Sequence, residues 1–170
     1  QSLIATKANR VVRAAEGRPV LEFGSRRAQG GDGAILGARA AFIGGCAGTA
    51  CTISDQLYGV HAGGTMAHSW VQMFDTQYDA FRAYCETYPE NPVLLVDTYN
   101  TLKSGVPDAI RAFNDVLRPR GLTKCGIRLD SGDMTYLTKK ARKMLDDAGW
   151  QSCEISVSNS LDEYIIRDLI

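Results

Sequence analysis

The sequence predicts an α/β fold: a parallel (β/α) barrel-like sheet that is incomplete within these 170 residues. Three observations carry the prediction. An apolar run, a polar turn and an amphipathic stretch succeed one another five or six times, and such alternation implies parallel strands joined by right-handed helical crossovers. "PVLLVD" (92–97) is almost wholly apolar, as a strand buried on both faces requires. No G-x-G-x-x-G fingerprint follows the first strand, which leaves a dinucleotide-binding fold without support. A complete eight-unit barrel takes about 250 residues. Residues 1–170 are therefore expected to be one partial barrel domain of a longer enzyme, its final strands lying outside them.

The elements follow in order. "QSLIATKANRVVRAAEG" is an opening helix with charges spread along it, unlike a signal peptide. "RPVLEFG" (18–24) is the first strand, followed by the glycine-rich "QGGDGA" and the helix-like "AILGARAAF". "FIGGCAGTACTISDQLYG" hides a strand end and a short helix. "GVHAGG" (59–64) is a short strand leading into a long helix over 67–87. There Trp70, Phe74, Tyr78, Phe81, Cys85 and Tyr88 recur every three or four residues, a stripe that belongs in a core. After strand 92–97, a helix starts near Ser104 with Pro107 in its first turn and buries Ile110, Phe113 and Leu117. "CGIRLD" (125–130) is the next strand. Its helix aligns Met134, Leu137, Ala141, Met144, Leu145 and Ala148, and Gly149 stops it. "CEISVS" (153–158) is a strand, and "LDEYIIRDLI" a last helix.

Composition narrows the function. The chain is 45% hydrophobic and carries 19 basic and 19 acidic side chains, with no basic stripe or polybasic tail. That balance speaks against an electrostatic binder of nucleic acid or membrane surfaces, and no run approaches the roughly 20 apolar residues of a membrane span. Cys46, Cys51, Cys85, Cys125 and Cys153 are odd in number and form no C-x-x-C pair. Neither disulfides nor a zinc site is expected, and a reducing cytoplasm is the expected compartment.

Each predicted strand empties into a small, polar or charged turn: Gly24-Ser25-Arg26-Arg27, Thr65-Met66-Ala67-His68-Ser69, Asp97-Thr98-Tyr99-Asn100-Thr101, Asp130-Ser131-Gly132-Asp133 and Ser158-Asn159-Ser160. In a parallel barrel these carboxyl ends share the face where chemistry is done. Arginines grip carboxylates or phosphates, helix N-termini attract anions, and the acids suit sugar hydroxyls, Mg²⁺-bound water or a developing positive charge. The set reads as a site for an anionic, phosphorylated, hydroxyl-bearing small molecule and names no reaction. Plainer roles compete. Asp133 and Ser131 sit where helix caps belong, and His61 reads as a packed strand histidine. Arg27 reads equally as a surface residue or a salt-bridge partner. His68, at a strand–helix junction among small residues, reads as a reachable imidazole.

"EFGSRRAQG", "GTMAHSW", "LLVDTYNT", "RLDSGD" and "SNSLDEY", in this order, resemble nicotinate phosphoribosyltransferases over the whole chain. The resemblance implies a type II phosphoribosyltransferase fold, an irregular barrel beside a smaller domain, working as a homodimer. It implies the joining of nicotinate to 5-phosphoribosyl 1-diphosphate (PRPP), giving nicotinate mononucleotide and diphosphate in NAD salvage. The cofactors implied are ATP, consumed through a transient phosphohistidine, and Mg²⁺ carried with the PRPP diphosphate; no metal site of the protein's own and no redox cofactor are implied.

Carried over by motif, His68 is the phosphorylated histidine and Asp130 the acid beside the reacting sugar and the pyridine nitrogen. Thr65 and Arg128 hold nicotinate, with Arg128 facing its carboxylate, and Phe23 and Arg26 match ring-stacking and anion-binding positions. Asp97, Ser158 and Asn159 are ribose or diphosphate contacts. Ala50 stands where the nicotinamide enzyme has an acid, which favours a carboxylate substrate. The family's amino-terminal domain and its last glycine-rich phosphate turns have no counterpart in residues 1–170, so these residues alone are expected to be inactive or nearly so. The alternatives are a nicotinamide or quinolinate phosphoribosyltransferase and a non-catalytic barrel fragment. An aldolase or isomerase barrel would want a lysine or glutamate at a strand end, and the five turns offer neither.

Overall fold

The structure is a computed structural model that describes residues 1–170. By internal packing the chain divides into two compact units, one of residues 1–64 with 161–170 and one of residues 65–160. Every strand pairing in both units is parallel, as the alternation of strands and helices requires.

The first unit contains α1 (Ser2–Ala14), β1 (Leu21–Glu22), a tight turn at Ser25–Arg27, α2 (Gly30–Ile43), β2 (Gly48–Thr49), α3 (Thr52–Tyr58) and, from the chain's end, α8 (Glu163–Leu169). α1 packs against α2 and α8 through small side chains, with Ala8, Ala41 and Cys46 in one cluster and Ala14, Ala15 and Ile166 in another. Lys7 on α1 pairs with the buried Glu163 of α8. β1 pairs with β2 over two residues, and Thr49 continues the ladder by a single bridge to Ala62. The unit expected within "FIGGCAGTACTISDQLYG" is thus β2 and α3. Two strands are shorter than expected. The strand predicted over 18–24 is only Leu21–Glu22, and that predicted over 59–64 is a single bridge. A short edge flanked by glycines finds few partners, and apolar sequence cannot supply the missing ladder. His61 is not packed: its side chain is exposed, and only its carbonyl serves the fold, accepting from Thr49 N–H.

The second unit is built on β3 (Val93–Leu95), β4 (Gly126–Leu129) and β5 (Glu154–Val157), with β4 central. Around it lie α4 (His68–Gln72), α5 (Gln77–Thr87), α6 (Val106–Ala112) and α7 (Met134–Asp147). Leu94, Leu95, Val96, Ile127, Leu129, Phe81, Phe113, Leu117 and Leu145 are fully buried, so the central strands do read as the apolar runs predict. All five cysteines are buried free thiols.

The long helix expected over 67–87 is two helices, α4 and α5. Thr76 breaks it by capping α5, its hydroxyl oxygen accepting from Asp79 N–H at 3.1 Å. The aromatic stripe still lines the core, except Tyr88, which is exposed. Helical winding around α6 begins three residues before Ser104, in a wide π turn at Thr101–Gly105 that Asn100 caps by accepting from Lys103 N–H. The wide turn precedes Pro107, whose ring lacks an N–H and would crowd the carbonyl one turn back in a regular helix. Gly105 in that turn lies against β3's extension: a Cβ there would stand 1.8 Å from the Val96 carbonyl oxygen. Gly149, with φ +82°, ends α7 as expected.

Candidate active site

The register of the three-stranded sheet determines which strand-end residues meet. Leu95 is level with Arg128 and Ser156, and Leu129 with Val157. One step further along, Asp97, Asp130 and Ser158 fall in a row at the carboxyl edge. Ser158 N–H donates to the Leu129 carbonyl, which continues the ladder to that row.

Arg128 lies between the buried Ile127 and Leu129, so the strand's alternation turns it to the opposite face. Its side chain is only 14% exposed and has partners on both sides. Nε donates to Ser158 Oγ and Nη1 to Thr65 Oγ1, each at 2.8 Å, and Nη2 donates to Asp130 Oδ1 at 3.0 Å. A guanidinium held this way is a stationary cation that does not have to order itself when an anion arrives.

Asp130 is the hub. Its Oδ1 accepts from Arg128 and from the Ser158 hydroxyl, and its Oδ2 faces His68 Nε2 at 3.5 Å. Burial works to raise this carboxyl. The hydrogen bonds of Ser158 and Arg128, the Arg128 charge and the contact with His68 outweigh it and hold the group below the ordinary aspartate range. Asp130 is therefore ionised at neutral pH. His68, in the first turn of α4, is 41% exposed. Its Nδ1 lies 3.1 Å from the Thr98 hydroxyl, so both ring nitrogens have a partner while the ring edge stays open to solvent.

Of the residues singled out in the sequence, Thr65, His68, Asp97, Arg128, Asp130 and Ser158 come together in one hydrogen-bonded cluster of the second unit. Asn159 stands just outside it, exposed, with φ +78° and its side chain accepting from Ser160. Phe23 and Arg26 are in the first unit, Phe23 half-buried after β1 and Arg26 exposed in the following turn. That turn is organised by Glu22, whose carboxylate accepts from Gly24 N–H and from the Thr49 hydroxyl. Ala50 is exposed, its N–H donating to the Glu22 carbonyl. Asp133 is a cap, its Oδ1 accepting from Tyr136 N–H at 3.0 Å. Ser131 is not: its hydroxyl donates to Asp97. Thr98 is the residue sequence reasoning passed over, one hydroxyl in a polar turn with nothing local to mark it. No group of three or more His, Cys, Asp or Glu side chains is spaced to hold a metal ion.

No protein-family model matches the chain. Individual relatives do. The nicotinate phosphoribosyltransferase of Bacillus subtilis is 46% identical over 172 residues, covering 99% of this chain and 34% of the relative. Nicotinate phosphoribosyltransferase pncB2 of Mycobacterium tuberculosis is 45% identical over 170 residues, covering 100% of this chain and 36% of the relative. Among solved structures, human nicotinic acid phosphoribosyltransferase matches with a TM-score of 0.87 at 28% identity, over 99% of this chain and 44% of that one. The nicotinate-nucleotide pyrophosphorylase of Pyrococcus furiosus matches with a TM-score of 0.82 at 30% identity, over 98% of this chain and 42% of that one. The resemblance read from the five motifs thus holds along the whole chain, which spans about a third of the length of the curated relatives it matches.

Proposed function

We propose that this chain, homologous throughout to nicotinate phosphoribosyltransferases, carries part of the active site of such an enzyme, one that joins nicotinate to PRPP. The observation that bears most of the weight is the chain of contacts from Thr65 and Ser158 through Arg128 to Asp130 and His68 at the carboxyl edge of β3–β5.

Arg128 supplies the cation for the nicotinate carboxylate, with Thr65 beside it; charge-assisted hydrogen bonds of this kind are among the strong ones. Asp130, ionised at neutral pH, stands where positive charge develops as the bond from the ribose C1 to diphosphate breaks. A fixed negative group stabilises that state more than the ground state. Ser158 holds Asp130 and Arg128 in register. His68 is the site of transient phosphorylation by ATP: its imidazole is reachable from solvent and in contact with both Thr98 and Asp130. Mg²⁺ arrives with the diphosphate, a mode that asks for one or two protein carboxylates at most and no dedicated cage. Phe23 and Arg26 serve the pyridine ring and an anionic group, Asn159 contacts ribose or diphosphate, and Ala50 leaves a carboxylate substrate unopposed by an acid.

An incomplete (β/α) barrel, a homodimeric full-length enzyme and a cytoplasmic location belong to the same proposal. The exclusively parallel pairing supports the first, and no helix is long and apolar enough to cross a membrane. Residues 1–170, about a third of the matched relatives, do not sustain turnover by themselves in this reading.

The test supplies the full-length enzyme with PRPP and either nicotinate, nicotinamide or quinolinate, with and without ATP. Nicotinate mononucleotide formation stimulated by ATP is expected. Consumption of nicotinamide or quinolinate in its place would overturn the substrate assignment.

A further inference from the structure

Asp97 has an uncommon arrangement for a carboxylate. It follows β3 and is 9% exposed. Its Oδ2 accepts two hydrogen bonds, from Asp130 N–H at 2.9 Å and from the Ser131 hydroxyl. Its Oδ1 is buried and has no donor among the protein's own groups. Native interiors seldom leave such an atom unpaired, because stripping water from a carboxylate oxygen without offering a donor costs free energy.

Direct contact with substrate or Mg²⁺ fits this geometry poorly: Oδ1 is out of reach and Oδ2 is already engaged twice. The geometry points instead to Asp97 as a positioning residue that clamps the turn at 130–131 and thereby sets where the Asp130 carboxylate stands beside His68. The inference rests on the phosphoribosyl-transfer reading of the site.

The clamp acts where the sheet no longer does. On the β3 side, the ladder's last backbone bond runs from Val96 N–H to the Arg128 carbonyl; on the β5 side it runs from Ser158 N–H to the Leu129 carbonyl. The next N–H, that of Asp130, has the Asp97 carboxylate in place of a strand. Asp130 is thus held by its amide from β3 and by its carboxylate from Arg128 and Ser158. Release of the amide lets the turn rotate and carries the carboxylate away from His68 Nε2, 3.5 Å distant.

Asparagine and alanine separate a clamp from a ligand. An asparagine carbonyl oxygen can take both donors while its amide occupies the Oδ1 position, so the charge goes and the clamp stays. Alanine removes both. In the full-length enzyme, Asp97→Asn is expected to keep kcat within about fivefold of wild type, with an unchanged Mg²⁺ dependence. Asp97→Ala is expected to lose about a hundredfold in kcat, the scale of a small misplacement of a reacting group, while KM for nicotinate and PRPP moves less than about threefold. Hydrogen exchange across residues 128–134 should quicken about tenfold in Asp97→Ala and stay near wild type in Asp97→Asn.

Asp97→Asn as inactive as Asp97→Ala, or with a shifted Mg²⁺ requirement, overturns the clamp in favour of a charged contact; wild-type turnover by Asp97→Ala overturns it equally. If Asp97→Ala does not fold, the activity and Mg²⁺ profile of Asp97→Asn decide between the same two outcomes. Absence of nicotinate turnover in the wild-type enzyme would instead defeat the functional reading, and exchange across 128–134 in the two variants would still report on the clamp.

Discussion

Replacing Arg128 by lysine is the most discriminating change at this site. The guanidinium now spends one nitrogen on each of Ser158, Thr65 and Asp130, at 2.8, 2.8 and 3.0 Å. A lysine ammonium carries the same charge on a single atom and cannot reach three partners arrayed around a plane. It also cannot offer a carboxylate two parallel N–H groups. Loss of one charge-assisted hydrogen bond to the ligand is worth about 1.5–3 kcal/mol, which is roughly ten- to a hundredfold in affinity. Ser158 keeps Asp130 as an acceptor for its hydroxyl, and the Thr65 hydroxyl is only half-buried, so the fold should lose little. The assay is steady-state turnover of full-length Arg128→Lys, varying nicotinate and PRPP separately, with thermal unfolding as the control for the fold. KM for nicotinate is expected to rise about ten- to a hundredfold and KM for PRPP less than about threefold. A larger effect on PRPP than on nicotinate would move Arg128 to the phosphates and refute the carboxylate assignment.

Other expectations follow from the same geometry. His68→Ala in the full-length enzyme should abolish acid-labile phosphate incorporation from ATP and leave only ATP-independent turnover; retention of both labelling and ATP stimulation would remove the phosphohistidine from the mechanism. Asp130 has a folded pKa below its unfolded value of about 3.9, so its contribution to stability is complete above that value and is lost as pH falls through the folded pKa. Asp130→Asn should therefore flatten the acid limb of stability by up to about 1.4 kcal/mol per pH unit below about pH 4, read as unfolding midpoints from pH 2 to 6; an unchanged slope would show that Asp130 is not the linked group. Gly105→Ala places a methyl 1.8 Å from the Val96 carbonyl oxygen. The strand and the π turn would have to part, at a cost of about 3 kcal/mol, visible as a lower midpoint in thermal unfolding; a midpoint within a degree of wild type would show that the backbone there yields freely.

Most of the site's residues were legible because a strand-to-helix junction is a local event. An apolar run, a small polar turn and an amphipathic stretch are adjacent in sequence, so the pattern alone places His68, Asp97, Arg128, Asp130 and Ser158 at the ends of elements. The same locality made Asp133 recognisable as a cap and Gly149 as a stop. Element lengths were less legible. Strand length depends on what lies alongside, and "GVHAGG" found one bridge where its apolar residues suggested a strand. Helix continuity over 67–87 was decided by Thr76, whose capping hydroxyl outcompeted an unbroken hydrophobic period.

The sequence by itself determined the alternating parallel architecture of the core strands and the location of the polar turns, since both follow from patterns within a dozen residues. Only the tertiary structure decided which turns meet. Arg128 bonds to Thr65 and Ser158, which lie 63 and 30 residues away along the chain, and the Thr98 contact with His68 spans 30 residues. Ser131 reads as a cap in the sequence, and only the register of β3 against β4 sets its hydroxyl on Asp97. Register is a property of two strands together, settled by burial of both apolar faces at once, and no single stretch of sequence contains it.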